Sequence, residues 1–329
     1  LLWASMRSGT RLIVSLALFF ITLAIAIGSA WAQTFTLAVI PDAQNYTDYR
    51  YRSSSRPPFP MDQADIFYRQ TAYVAANAAS AGGSIAFAVF LGDLVNNYST
   101  QASAWRVADA AVSMLDGILP FGIVPGNHDY DFRWKDPKDK GTRIDGSILF
   151  NCYFGPESGH FEGRSWYGGS YSDGRDSWST FQAGDRTFLF LGLELEPSDE
   201  YLSCYDEPKE PGRAQYTNHS YRLGMNRNTP RQLWDKLIRG RRQIFLVLCG
   251  HFFNGASQGE GLRVDEGDAG FKVYELLSDY QGRAELQRKR GIFHFSGRCG
   301  DGWMRLMEFD LGKGEIHVRS FSKEMLRYA

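Results

Sequence analysis

The sequence predicts an α/β fold whose sheet is covered on both faces. Short, continuously apolar runs alternate along the chain with stretches of helical periodicity. The runs are apolar at consecutive positions, which is typical of strands buried on both sides. Each run ends at a glycine or proline and is followed by polar residues. In sheets of this kind, chemistry gathers at the carboxyl ends of the strands.

The first half of the chain shows this alternation most regularly. We expect strands at Thr34–Ile40, Ile85–Leu91 and Phe121–Val124, with helices at Asp62–Ala79 and Ala102–Leu115 between them. A strand, a helix and a second strand in succession usually form a parallel pair, so these strands should lie side by side.

The second half is less regular. Residues 132–181 lose all periodicity and are rich in glycine and aromatic side chains, which predicts a long ordered loop held down by its rings. The remaining predicted elements are strands at Thr187–Leu195 and Gln243–Cys249, a helix that begins at Thr229–Pro230 and ends at Gly240, and a closing hairpin of Trp303–Phe309 and Glu315–Phe321.

A signal peptide is expected at residues 1–32, with Met6 as the true start. Arg7 and Arg11 precede the mostly apolar stretch Leu12–Ile27, and small residues up to Ala32 follow it. Cleavage there leaves residues 33–329 as one exported domain, periplasmic or extracellular. An N-terminal membrane anchor is the alternative, although the apolar stretch is shorter than the about 20 residues that span a bilayer. No later segment resembles a transmembrane helix.

Composition and charge restrict the function classes. The 36 Lys and Arg residues nearly balance the 37 Asp and Glu residues, so charge gives no case for a dedicated nucleic-acid binder. A content of 43% hydrophobic residues excludes long disorder. The four cysteines lack the spacing of a zinc site, and a disulfide between Cys152 and Cys204 is one hypothesis.

Polar residues with ligand chemistry directly follow four of the predicted strands. In chain order they are Asp42 and Gln44, then Asp93, then Asn127, His128 and Asp129, and finally His251. Oxygen and imidazole ligands that meet at one edge of a sheet suit divalent Mn, Fe or Zn. Glycines beside these residues leave room for sharp turns and for an ion with its substrate.

The chain resembles the calcineurin-like metallophosphoesterases. Gly126–Asp129 matches the most specific sequence block of that superfamily, while Pro41–Asn45, Leu193–Pro197 and Ser278–Gln281 resemble a secreted bacterial branch of it. The resemblance covers nearly all of residues 33–329. It implies a four-layer α-β-β-α sandwich with two divalent metal ions, in which a metal-bridging hydroxide attacks a phosphoric mono- or diester in line.

The resemblance also implies a role for each matching residue. Asp42 and Gln44 would ligate the first metal, Asp93 would bridge both metals, Asn127 and His251 would ligate the second, and His128, oriented by Asp129, would lie beside the phosphate of the substrate. His128 would then protonate the leaving alkoxide or stabilise the phosphate oxygens.

The sequence departs from the superfamily pattern at the metal ligands. Gln44 and Phe253 stand where the pattern has histidine, and Asn96 stands where it has aspartate. Because a carboxamide is a weaker ligand than an imidazole and phenyl is none, we expect the first metal to be held weakly.

The resemblance implies a further ligand of the second metal, a histidine at a strand end between Leu193–Pro197 and His251. His219 is the one histidine in that interval, and the polar residues before it do not predict a strand. We therefore expect a strand–helix element to be deleted after Glu200. The alternative, in which His219 enters the site as a substitute, stays open.

Two other function classes compete with a metal-dependent phosphoesterase. An incomplete second site would leave a degenerate binding protein with the same fold. A nuclease that uses the same centre would need a basic groove, which the near-neutral composition does not predict. About two equivalents of Mn, Fe or Zn per chain would favour the enzyme, and none would favour the binding protein.

Overall fold

A computed structural model describes residues 34–47, 64–95, 102–130, 148–171, 174–194, 197, 228–252, 259–283 and 300–323. Several predictions concern residues outside these ranges: the signal peptide, Asn96, His219, Phe253 and the deletion after Glu200. Within the ranges, the model contains no helix that is both long and apolar enough to cross a membrane.

The described residues form a mixed α/β structure. The strands are β1 (Thr34–Ile40), β2 (Ile85–Phe90), β3 (Phe121–Ile123), β4 (Tyr167–Tyr171), β5 (Asp176–Ala183), β6 (Arg186–Gly192), β7 (Leu246–Cys249), β8 (Glu260–Glu266), β9 (Lys272–Ser278), β10 (Met304–Asp310) and β11 (Glu315–Phe321). The α-helices are α1 (Gln44–Thr47), α2 (Ala64–Ala76), α3 (Ala102–Val112), α4 (Ile148–Phe154) and α5 (Pro230–Leu233), which continues as a π-helix over Trp234–Ile238.

These strands build three sheets. The largest has the order β11-β10-β1-β2-β3, and two three-stranded sheets have the orders β4-β5-β6 and β7-β9-β8. The strands β1, β2 and β3 are parallel, as the β-α-β pattern predicts, and β7 is parallel to β9. The antiparallel pair β10–β11 confirms the predicted closing hairpin.

The five-stranded sheet is covered on both faces, as predicted. From β1, Ala38 and Ile40 pack with Phe67 of α2 and Trp105 of α3 on one face. The alternate residues of β1 pack on the other face, against strands of the two smaller sheets. This second cluster contains Phe35, Leu37 and Val39 with Phe181, Phe190, Leu248 and Leu276. Burial on both faces explains why β1 is apolar at consecutive positions.

A third cluster joins the helical segment 230–238 to the sheet β7-β9-β8. Leu237 and Ile238 pack on Val273 of β9, with Val247 of β7 beside them. Thr229 begins this helix as predicted, because its hydroxyl accepts the backbone N–H of Gln232 and the Gln232 side chain accepts the backbone N–H of Thr229.

One expectation for the less regular half was wrong. Residues 132–181 contain α4, β4 and β5 rather than one long loop. The aromatic rings of this region do pack against other rings, as expected: the ring centroids of Phe161 and Trp166 lie 5.5 and 5.3 Å from that of Phe121. The hairpin β8–β9 was not predicted at all. Cys152 is an exposed free thiol on α4, and Cys204, its hypothesised disulfide partner, lies outside the described residues.

Candidate metal centre

The ends of four strands carry the predicted ligands, and backbone and side-chain hydrogen bonds connect them. Asp42 follows β1, and its two carboxylate oxygens accept the backbone N–H of His251, which follows β7, at 3.2 and 3.4 Å. Asp93 follows β2 and accepts the backbone N–H of His128 at 2.9 Å and the Gln44 Nε2 at 3.2 Å. The site therefore lies between the large sheet and the sheet β7-β9-β8.

The backbone has an unusual conformation at three of these ligands. The φ angles are 41° at Asp42, 49° at Asp93 and 77° at His251; with Asp301 at 51°, these are the non-glycine residues with positive φ in the described ranges. Residues other than glycine rarely adopt positive φ angles, and backbone strain of this kind clusters at functional sites. The concentration at the predicted ligands supports a functional role for this edge.

Two glycines allow the close approach of the loops. A Cβ atom at Gly126 would lie 2.2 Å from Asp93 Oδ1, and one at Gly250 would lie 2.6 Å from Asp42 Oδ2. Any larger residue at either position would displace a ligand carboxylate. The glycines beside the ligands are therefore required by the geometry of the site.

Buried carboxyl groups cluster at this edge. Burial raises the pKa of Asp42 well above its ordinary value, and the carboxylates of Asp279 and Asp93 raise it further. Burial raises the pKa of Asp279 to about 7, against hydrogen bonds from Gln281 that lower it. The groups that shift these pKa values are carboxylates and hydrogen-bond donors, with no Lys or Arg from the described ranges among them.

Asp129 holds two ligand loops together. Its carboxylate accepts the backbone N–H groups of Leu94, Val95 and Gly126 at 2.9, 3.1 and 2.9 Å. Burial raises its pKa, and the nearby charge of Asp93 adds to this effect. These bonds join the loop after β2 to the loop after β3, while the orientation of His128 by Asp129 stays a prediction.

The donor set fits divalent cations. Gln44 Oε1 and Asn127 Oδ1 are buried and accept no hydrogen bond in the described ranges. A buried oxygen without a partner is costly, and neutral oxygens together with carboxylates are ligands that hard cations accept. Both predicted amide ligands thus present an oxygen that lacks a partner.

The described ranges contain no group of three or more His, Cys, Asp and Glu side chains close enough to hold a metal. The predicted ligand set includes two amides, which such a count leaves out, and His219, which lies outside the described residues. This finding therefore leaves the predicted ligand set unchanged.

The sequence resemblance includes Ser278–Gln281, but sequence reasoning gave Asp279 and Gln281 no role in the site. Asp279 is fully buried directly after β9, and Gln281 contacts Gln44 through a side-chain hydrogen bond of 3.1 Å. The sequence does contain a signal for Asp279, because this residue follows a partly apolar run, much as Asp42 and Asp93 follow apolar runs. The polar positions of Lys272–Ser278 concealed the strand.

Comparison with known proteins gives one relative and no family. No family model matches the chain. The chain is similar to the uncharacterized protein YvnB of Bacillus subtilis (strain 168), with 26% identity over 284 residues. The match covers 84% of this chain and 19% of the relative, so the chain spans about a fifth of the relative's length. The name of the relative states no activity.

Proposed function

We propose that the protein is a metal-dependent hydrolase of phosphoric mono- or diesters with the calcineurin-like metallophosphoesterase fold. The observation that carries this proposal is the strand-end site itself. Buried carboxylates lie there without a Lys or Arg from the described ranges to offset them, next to two amide oxygens that lack partners. A bound divalent cation would satisfy both conditions.

The layering of the chain supports the finer fold assignment. Helices α2 and α3 pack on one face of the five-stranded sheet, strands of two smaller sheets pack on the other, and the helical segment 230–238 packs on β7 and β9. We interpret this order as the four-layer α-β-β-α sandwich that the sequence resemblance implies, with the deletion after Glu200 as part of the proposal.

Each residue has a proposed role in this reaction. Asp42, Gln44, Asp93, Asn127 and His251 would hold two divalent ions, with Mn, Fe or Zn as the expected metals. Such ions supply Lewis acidity, which neutralises phosphate charge and makes water a stronger acid. His128 would donate a proton to the leaving alkoxide, and its backbone N–H bond to Asp93 fixes its position relative to the ligands.

The fold also fits a degenerate binding protein. The observation that favours this second candidate is the lack of three clustered His, Cys, Asp or Glu side chains in the described ranges. In that case the protein would bind no metal and hydrolyse no ester, while its folding would be unaffected.

Hydrolysis of p-nitrophenyl phosphate and bis-p-nitrophenyl phosphate tests the proposal. The purified protein should release nitrophenol with added Mn²⁺ and lose this activity with a chelator. Comparison of the two substrates separates monoesterase from diesterase activity. Activity that the chelator leaves unchanged would contradict the metal-dependent reaction, and no activity with either substrate would favour the binding protein.

Export of the protein remains part of the proposal and rests on the sequence of residues 1–32. Expression in a bacterial host followed by N-terminal sequencing tests it. A mature chain that begins at Gln33 in the exported fraction would support export with cleavage. An intact N-terminus in the membrane fraction would instead support the anchor.

A further inference from the structure

The segment that follows β9 forms a closed hydrogen-bonded unit at the candidate site. Asp279 is fully buried there. The backbone N–H of Gln281 donates to Asp279 Oδ1 at 3.0 Å, and the Gln281 side-chain Nε2 donates to Asp279 Oδ2 at 3.1 Å. Two bonds between the same pair of residues fix the orientation of the Gln281 amide, so that its Oε1 must face away from Asp279.

This oxygen contacts the first block of predicted ligands. Gln281 Oε1 accepts Gln44 Nε2 at 3.1 Å and Asn45 Nδ2 at 3.4 Å. Gln44 Nε2 also donates to Asp93 Oδ2 at 3.2 Å. A primary amide has two N–H donors, and both donors of Gln44 therefore have acceptors.

The consequence concerns the other end of the Gln44 amide. With its nitrogen held between Gln281 and Asp93, the carbonyl Oε1 is turned away from both, and it is buried without a hydrogen-bond partner. Rotation of the amide by 180° would place Oε1 against the two acceptor oxygens, which is unfavourable. Two acceptors thus select one orientation of Gln44.

We propose that Asp279 and Gln281 are positioning residues that present the Gln44 oxygen to a divalent cation. This inference rests on the proposed function. A carboxamide is a weak metal ligand, so its contribution depends strongly on being held in place. Partners that orient a ligand typically change metal affinity by about 10- to 100-fold.

Mn²⁺ affinity of the Gln281→Met variant tests the proposal. Methionine keeps the approximate volume but removes both amide functions, and we expect the affinity of the weaker site to fall about 10- to 100-fold. The visible spectrum of the Co²⁺-loaded protein should change as well, because it reports the ligands of the metal. Gln70→Met is the matched control: Gln70 is a buried glutamine that donates to the Trp303 carbonyl oxygen at 3.0 Å, outside the site.

A paired exchange separates positioning from general stability. In Asp279→Asn alone, an amide nitrogen would face the Gln281 nitrogen, and in Gln281→Glu alone, two carboxylates would face each other. Both single variants should bind Mn²⁺ more weakly. The double variant restores a donor at 279 and an acceptor at 281, and it should recover most of the affinity and the Co²⁺ spectrum.

The outcomes distinguish this inference from the function on which it rests. If the unaltered protein binds Mn²⁺ and Gln281→Met binds it equally well with an unchanged Co²⁺ spectrum, the positioning role is wrong and the metal site stands. Failure of the double variant to exceed both single variants would also overturn it. If the unaltered protein binds no Mn²⁺, both proposals fail.

Discussion

Carboxyl groups gather in two regions of the molecule, and the groups that surround them differ. The His160 clamp consists of Asp109, His160 and Asp116. The buried imidazole lies between the two acids, with Nε2 3.1 Å from Asp109 and Nδ1 3.0 Å from Asp116. In the strand-end cluster of Asp42, Asp93, Asp129 and Asp279, burial and neighbouring carboxylates raise the pKa values of Asp42, Asp129 and Asp279, and no Lys or Arg from the described ranges is among the groups that shift them.

One buried acid outside both regions, Glu194, also has a basic partner. Glu194 is buried, and its Oε2 lies 3.1 Å from Arg175 Nη1 and accepts the Tyr130 hydroxyl at 2.7 Å. An ion pair of this kind offsets part of the cost of burying a carboxylate. We propose that the strand-end cluster takes its positive charge from divalent cations outside the chain.

Asp93→Asn should have the largest effect. Removal of the charge that would bridge two cations is expected to abolish both turnover and paired metal binding. Ester hydrolysis and metal content, measured on the same preparation, check this expectation. A variant that retains two metals and full activity would mean that the strand-end cluster does not need the Asp93 charge.

His128→Ala changes the strand-end cluster without changing its carboxylates. We expect the turnover rate to fall about 10²- to 10⁴-fold, because a positioned proton donor contributes on that scale. Metal content should stay the same. Loss of the metals from this variant would contradict the assignment of His128 as a proton donor and would indicate that His128 is a metal ligand.

His160→Ala tests the clamp. We expect a loss of about 2–4 kcal/mol in the free energy of unfolding, because a buried ring is removed from between two carboxylates and from its stack on Phe154, where the ring centroids lie 5.3 Å apart. Urea unfolding measures this loss, and Mn²⁺ affinity should be unchanged. A large change in Mn²⁺ affinity would show that the two regions are coupled.

The pH dependence of stability should distinguish metal-free from metal-loaded protein. Folding raises the pKa of Asp42, and it raises the pKa of Asp279 to about 7. Without metal, the folded state therefore binds more protons than the unfolded state between about pH 4 and 7. Its stability should therefore fall as pH rises through this window. Mn²⁺ should reduce or reverse this trend. The melting temperature at pH 5 and pH 7, with and without Mn²⁺, is the measurement. An equal pH trend in both forms would contradict the account.

The regular half of the fold could be predicted because burial on both faces leaves a continuous apolar signal. β1, β2 and β3 and the polar residues after them were found in this way. The strands β4 and β8 could not be found, since Gly168 and Gly169 interrupt one and charged residues alternate along the other. Their pairing depends on neighbours that are distant in sequence.

Individual site residues show the same limit. Asp42, Gln44 and Asp93 follow predictable strands, whereas Gln281 contacts Gln44 and Asn45, which only the tertiary structure brings near it. The burial of His160 could not be predicted either, because its two acidic partners lie 44 and 51 residues earlier in the chain. Such contacts leave no local pattern.

Equilibrium dialysis against Mn²⁺ tests the central claim most directly. The account predicts that the protein retains about two Mn²⁺ ions per chain, one of them weakly, and that Asp93→Asn loses this pair. Retention of no Mn²⁺ above the level of Asp93→Asn would contradict the claim that the strand-end cluster takes its positive charge from divalent cations.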